Sequence, residues 1–514
     1  MTARWIVPAL FVLGCIAAER PAAAADSLVQ AAAKGDFAFV RELVTRGGAD
    51  VNATDSDGAT ALHWAVRSED LEATDTLIRA GAKVTVATRL GVTPLYLAAD
   101  SGNAAIIRRL LEAGADAKTR DASGDTALMA AVRAGSRDAV TLLIDRGAEV
   151  DATDPQIGLT ALMWAVREND AEIARLLIAR GASTAARTRV GEKPAVRPPG
   201  AGGGSHGVGI VRSGVPPQGE QQPAPGGMTP LLFAARDGSL EAAKVLADAG
   251  ADLNAADPNG ITPLLMALTN GEVAVAQLLV DRGADLKAAD WWGRTPIWAA
   301  VEIRNRDLNS RTLEQGIDRA GAMKVIESLL AKGVDVNARV KEFPPARRHI
   351  MGLGSLEWVD ITGQTPFFRA ALSADVPVMK LLLQKGADPT ITTFNGTSAL
   401  MVAAGVDWVP AQTFSESPAM WMDAVKLCLE LGLDVNATNQ MGLAAVHGAA
   451  NRGSDDIIEL LAKHGAKLDV PDKEGRTPIT WAEGVFLATN STVAKPSTIA
   501  LLKKLIASPA QAQR

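Results

Sequence analysis

Twelve glycines, Gly58, Gly91, Gly124, Gly158, Gly191, Gly227, Gly260, Gly293, Gly363, Gly396, Gly442 and Gly475, fall on a grid whose usual interval is 33 residues. No other feature constrains the chain as tightly. A fixed period of that size denotes one supersecondary unit repeated along the chain, and a single unit cannot bury its own apolar face, so it stacks on its neighbours. Length then ceases to count domains, because a solenoid of 514 residues grows by addition.

Each glycine introduces one phrase, seen cleanly as Gly91-Val92-Thr93-Pro94-Leu95, Gly260-Ile261-Thr262-Pro263-Leu264 and Gly475-Arg476-Thr477-Pro478-Ile479. Threonine before proline is a helix N-cap followed by a residue whose fixed φ and missing N–H suit the first helical position, so Thr93-Pro94 and its copies start an inner helix. Gly102 and its equivalents stop it. An outer helix follows with apolar residues at helical spacing, Ile106, Ile107, Leu110 and Leu111, and ends at Gly114. Alanine pairs such as Ala98-Ala99 and Ala234-Ala235 let neighbouring inner helices approach closely.

With the Leu110-Leu111 and Leu278-Leu279 pairs and the closures Gly114-Ala115-Asp116 and Gly283-Ala284-Asp285, the unit resembles the ankyrin repeat over nearly all of the chain after residue 26. The resemblance implies an all-α solenoid of helix-turn-helix units with β-hairpin tips, about 12 repeats in all, which binds a protein partner through its concave face. It also implies that His63 and His447 are the hydrogen-bonding histidines that link neighbouring units. Elsewhere that position holds Tyr96, Met129, Met163, Leu232, Leu265, Trp298, Phe368, Met401 or Thr480, where packing is expected to compensate.

Residues 1–25 stand apart. Arg4 precedes an apolar run from Trp5 to Ala18, and Ala23-Ala24-Ala25 supplies small residues before Asp26, the pattern of a secretory signal peptide too short to span a membrane. Val12-Leu13-Gly14-Cys15 resembles a lipobox, so a lipid anchor at Cys15 is the alternative. A bacterial origin and a periplasmic or secreted location are expected from the signal style and the Ala-, Arg- and Gly-rich composition. Cys428, among Val425, Leu427 and Leu429, is expected to be a buried, inert thiol. Without residues 1–25, Lys+Arg falls from 52 to 50 and Asp+Glu from 58 to 57, a net charge of −7 that argues against a nucleic-acid partner.

The grid is broken in places that bear on function. Residues 192–226 carry Gly200 to Gly204, Pro216-Pro217 and Gln221-Gln222-Pro223 without apolar periodicity, and read as a flexible linker between an N-terminal block at 26–191, about five repeats, and a C-terminal block at 227–514, about seven. Three insertions follow, near 304–320, 339–361 and 405–420. Insertions in repeat arrays map to loops and often to the binding face. Trp291 and Trp292, just before the tip glycine Gly293, are expected to be exposed contact residues, joined by Arg347, Arg348, Trp358 and Trp408 from the insertions, the alternative being that the following long loop, with Phe343, Met351 and Trp358, folds over the pair.

Chemistry is sparse. Gly203-Gly204-Ser205-His206-Gly207 matches a nucleophile-elbow pattern, but in a glycine-rich stretch that lacks the strand and helix the mechanism needs. No cofactor, metal or catalytic residue is expected, and the chain is expected to act as a monomer. A rival reading places an enzyme or small-ligand site in a pocket bounded by the three insertions, using His349, Glu357 and Asp360. Arg67, Arg133, Arg167 and Arg236 recur at inner-helix ends and are expected to be solvated and partly paired with neighbouring acids rather than to form an anion-binding ladder.

Overall fold

The computed structural model describes residues 28–191, 225–305, 318–341, 362–407, 417–485 and 493–508. Among these are 24 α-helices in 12 consecutive inner–outer pairs, from Leu28–Ala33 with Phe37–Arg46 to Pro478–Gly484 with Pro496–Ile506, numbered below as repeats 1 to 12. Every inner helix packs on the inner helix of the next repeat. The described residues form no extended sheet, only isolated bridges across three hairpins, as between Thr54 and Thr60.

Local chemistry explains the elements. The Thr93 hydroxyl accepts the Tyr96 N–H at 3.2 Å and so caps the inner helix Pro94–Asp100. Asp70 and Asp170 cap outer helices in the same way, accepting from Ala73 at 2.8 Å and Ile173 at 2.9 Å. The tip glycines are dictated twice over. Gly91 has φ +71°, and a Cβ there would lie 2.5 Å from the Ala122 nitrogen of the next hairpin, so both backbone sign and stacking distance demand glycine.

Polar staples join successive units at the surface of an apolar core. His63 accepts the Thr60 N–H through Nδ1 at 3.0 Å, and its Nε2 meets the Val92 carbonyl of the next unit at 3.2 Å. His447 accepts the Ala444 N–H at 3.0 Å, and its ring meets Trp481 of the following unit edge-on. Tyr96 does not rely on packing alone, because its hydroxyl donates to Asp125 of the next unit at 2.9 Å. A further staple comes from Asn52, Asn337 and Asn436, each of which donates to the Gly81, Gly386 or Gly465 carbonyl one unit ahead and accepts the N–H of Lys83, Asp388 or Lys467. In the outer helix of repeat 7, Leu279 is fully buried and Leu278 only partly, so Leu279 is the side chain whose loss opens a cavity.

The two expected blocks are in contact on either side of residues 192–224, which lie outside the described residues. Inner helix Ala161–Arg167 packs on Pro230–Asp237, and outer helix Ala171–Ala179 packs on Leu240–Asp248. Val190 and Gly226 form an antiparallel bridge, and Arg187 donates to the carbonyls of Gly227 and Ala256 at 2.9 and 2.8 Å. Repeats 5 and 6 therefore stack like other neighbouring repeats. Limited proteolysis is expected to cut first at Arg197 or Arg212, because a Gly/Pro-rich excursion is cleaved before packed helices. The nicked chain should still elute as one body under native conditions, and separate elution of two fragments would contradict the continuous stack.

Arginines bridge the described residues on either side of the insertions that follow inner helices. Arg304 donates to Asp375 of repeat 9 at 2.9 Å and to the Arg319 carbonyl at 2.7 Å. Arg452 of repeat 11 donates to the Ala403 carbonyl at 3.2 Å and lies over Trp421, 4.2 Å from its ring centre. Each binds across the place where extra chain parts an inner from an outer helix.

Candidate functional site

Binding residues in such a stack are those the core does not claim, so exposure of large apolar side chains is informative. Among the described residues the exposed large apolar side chains are Leu71, Leu90, Ile157, Val190, Trp291, Phe394 and Val493. Five of these seven, all but Leu71 and Val493, sit one or two positions before a tip glycine, at Gly91, Gly158, Gly191, Gly293 and Gly396. The hairpin tips thus carry most of the apolar surface that packing leaves open.

The tryptophan pair divides. Trp291 is 42% exposed, but Trp292 is 3% exposed, which corrects the expectation that both face solvent. The cause is the next hairpin. The Lys341 N–H donates to the Trp292 carbonyl at 2.7 Å, the Arg294 guanidinium lies 5.2 Å from its ring centre, and Trp291 meets it edge-on at 5.7 Å. Arg294 is itself held by Asp290 at 2.6 Å, both side chains almost wholly buried. Trp292 is therefore a support for Trp291. Arg347, Arg348, Trp358 and Trp408, with His349, Glu357, Asp360 and His206, lie outside the described residues.

The three insertions do not leave from one place. Those after Asn305 and Asp407 follow inner-helix C-termini, whereas the one after Lys341 leaves a hairpin tip, before an inner-helix N-terminus. Their roots are separated by the length of an inner helix, about 10–13 Å at 1.5 Å per residue. The residues named for a pocket bounded by all three, His349, Glu357 and Asp360, lie outside the described residues.

A groove does lie on the opposite half of the array. It encloses about 610 Å³ between the inner helices of repeats 2 and 3 and their tips, with Trp64, Arg67, Asp57, Arg89, Leu90 and Leu97 in its lining. The Trp64 indole N–H donates to Asp55 at 3.2 Å, and Arg67 lies 5.7 Å from its ring centre. Burial holds the His63 imidazole behind it below its usual range, so that ring stays neutral.

The arginine series is neither simply solvated nor simply paired. Arg133 joins Asp125 at 2.5 Å and Arg236 joins Asp237 at 2.7 Å. Yet each of the four also lies over an aromatic ring: Arg67 on Trp64, Arg133 and Arg167 both on Trp164, at 5.0 and 4.6 Å, and Arg236 on Phe233. Guanidinium–ring stacking fixes the side chain while leaving its N–H edge outward. Cys428 is fully buried, with its thiol pushed up to about 12 by desolvation, an inert group as expected.

Comparison with known proteins agrees with this architecture. A profile of ankyrin repeats in three copies matches residues 28–121, 109–188, 210–290, 231–320 and 419–485, and a single-repeat ankyrin profile matches 362–391. These matches cover well over half of the sequence: the chain belongs to the ankyrin-repeat family. It is similar to the B-cell lymphoma 3 protein homolog of Mus musculus, 31% identical over 134 residues, 25% of this chain and 28% of that protein. Ankyrin repeat and SOCS box protein 16 of Mus musculus is 33% identical over 119 residues, 23% of this chain and 25% of that protein. The chain thus spans about a quarter of the length of these curated relatives. Among solved structures, the ankyrin repeat domain of Bcl-3, described as a unique member of the IkappaB protein family, matches with 26% identity and a TM-score of 0.38, covering 49% of this chain and 96% of that one. Ankyrin repeats generally mediate protein–protein interactions, and no helix among the described residues is long and apolar enough to cross a membrane.

Proposed function

We propose that this chain is an exported, non-enzymatic scaffold that holds a protein partner in the periplasm or outside the cell through its hairpin tips and concave face. The observation that carries the reading is the gathering of exposed apolar side chains at the tips, where a stack of inner helices offers a rigid, pre-ordered edge. Export rests on the signal-like residues 1–25, with the mature chain beginning at Asp26 and a lipid anchor at Cys15 as the alternative. Arg347, Arg348, Trp358 and Trp408 belong to the same proposed surface, adding contacts from the insertions around Trp291.

The test is affinity capture from a periplasmic fraction followed by a binding titration with the recovered protein. Trp291→Ala removes a large exposed ring at a tip and is expected to weaken binding by about 2 kcal/mol, roughly thirtyfold. The neighbouring Trp292→Ala is unsuitable because it removes a buried support. Recovery of a bound small molecule in place of a protein would overturn the reading.

A further inference from the structure

Repeats 2 and 5 present the same side chains at the same places. Thr60-Ala61-Leu62-His63-Trp64-Ala65-Val66-Arg67 recurs as Thr160-Ala161-Leu162-Met163-Trp164-Ala165-Val166-Arg167, and Thr88-Arg89-Leu90-Gly91 recurs as Thr188-Arg189-Val190-Gly191. In both copies a partly buried tryptophan on the inner helix carries an exposed arginine on its face, and the next tip adds an arginine and an exposed aliphatic side chain. Leu90 is 72% exposed and Val190 55%, values that leave most of each side chain free for a partner.

The first cradle sets two arginines, Arg67 and Arg89, against two acids, Asp55 and Asp57, whereas the second lacks a counterpart of Asp57. Asp57 is ion-paired with Arg89, and Asp55 accepts the Asp57 and Ala59 N–H groups and the Trp64 indole. Arg67 makes no ion pair among the described residues. In the second cradle the place of Asp57 is taken by Ile157, Arg189 donates to the Pro155 carbonyl, and neither Arg167 nor Arg189 makes an ion pair among the described residues. Arg133 also stacks on Trp164, with Asp125 as its own partner. A stacked guanidinium presents its N–H edge to a carboxylate in fixed geometry. In the first cradle Trp64, Leu90 and Leu97 line the groove beside it.

We propose that these are two copies of one binding cradle, and that together they grip an extended acidic segment of a partner protein bearing two anchors, each a large apolar side chain next to a carboxylate. The cradles lie three repeats apart in an unbroken stack. At about 8–10 Å per packed helix that is about 24–30 Å, which an extended chain covers in about seven to nine residues. This deepens the scaffold reading above and rests on it, while placing a second contact region away from Trp291.

Fluorescence anisotropy with labelled synthetic peptides tests it on the full mature chain. The probes are a peptide with two Leu-Asp anchors eight residues apart, a single-anchor peptide, and a two-anchor peptide with Asn for Asp. Linking two sites multiplies affinity when the spacing fits, so the two-anchor peptide is expected to bind at least about a hundredfold tighter than the single-anchor one. Trp64→Ala or Trp164→Ala should each bring it down to the single-anchor level. Arg67→Gln with Arg167→Gln, at exposed positions that leave folding intact by circular dichroism, should abolish the preference for Asp over Asn. Equal affinity for one and two anchors, unchanged binding in the arginine pair variant, or displacement of the peptide by a single-stranded oligonucleotide with no preference for Asp over Asn would overturn the proposal. If a captured protein still depends on Trp291 while these peptides fail to bind, the cradle inference falls and the scaffold reading stands.

Discussion

Asp290→Ala is expected to cost about 3–5 kcal/mol, the range for breaking a buried ion pair by removing one partner. The Asp290 carboxylate accepts from Arg294 Nε at 2.6 Å and from the Arg294 N–H at 2.9 Å, and both side chains are almost fully shielded from water. Truncation leaves the guanidinium under Trp292 without its counter-charge. In a one-dimensional array the loss should be felt mainly in repeats 7 to 9, so hydrogen exchange there should rise while repeats 1 to 4 keep their protection. Asp290→Leu combined with Arg294→Met should recover most of the stability, since an apolar pair of similar volume needs no desolvated charge. A uniform rise in exchange along the chain would count against local stacking.

Gly448→Val is expected to be as damaging for a different reason. Gly448 sits inside an inner helix, and a Cβ there would press on the Val406 nitrogen and lie 2.5 Å from the Gly405 carbonyl carbon of the preceding repeat. Even Gly448→Ala sets two effects against each other. Alanine gains about 1 kcal/mol of helix propensity over glycine. The clash is with backbone atoms that cannot rotate away, so overpacking of about 3 kcal/mol or more should win and lower the thermal midpoint. A rise in the midpoint would show that repeats 10 and 11 are not held this closely.

What the sequence makes legible is whatever repeats locally. Thr93-Pro94, Gly91 and the leucine pairs carry their reasons in neighbouring residues, and the helices stand where those signals put them. Burial of Trp292 is different, because it depends on Lys341, which stands after a helix pair lengthened by an insertion. The continuity of repeats 5 and 6 is likewise hidden, since a Gly/Pro-rich stretch looks the same whether it parts two domains or loops out of one hairpin. The opposite roots of the insertions follow from topology alone: extra chain after Asn305 must leave from the end of the inner helix away from the tips. The cradle pair leaves a clear trace in the matched strings Thr60–Arg67 and Thr160–Arg167, but the stacking of Arg133 on Trp164 needs the neighbouring repeat in place.

The proposed partner would sit on the tips and the concave face of the stack. Photo-crosslinking reads this most directly, with a crosslinking side chain placed in turn at Leu90, Ile157, Val190, Trp291 and Phe394 on the tips, and at the exposed outer-helix positions Glu112, Arg175 and Glu241 as controls. Crosslinks to the captured partner are expected from the tip positions and none from the outer-helix set. Crosslinks confined to the outer helices would contradict it.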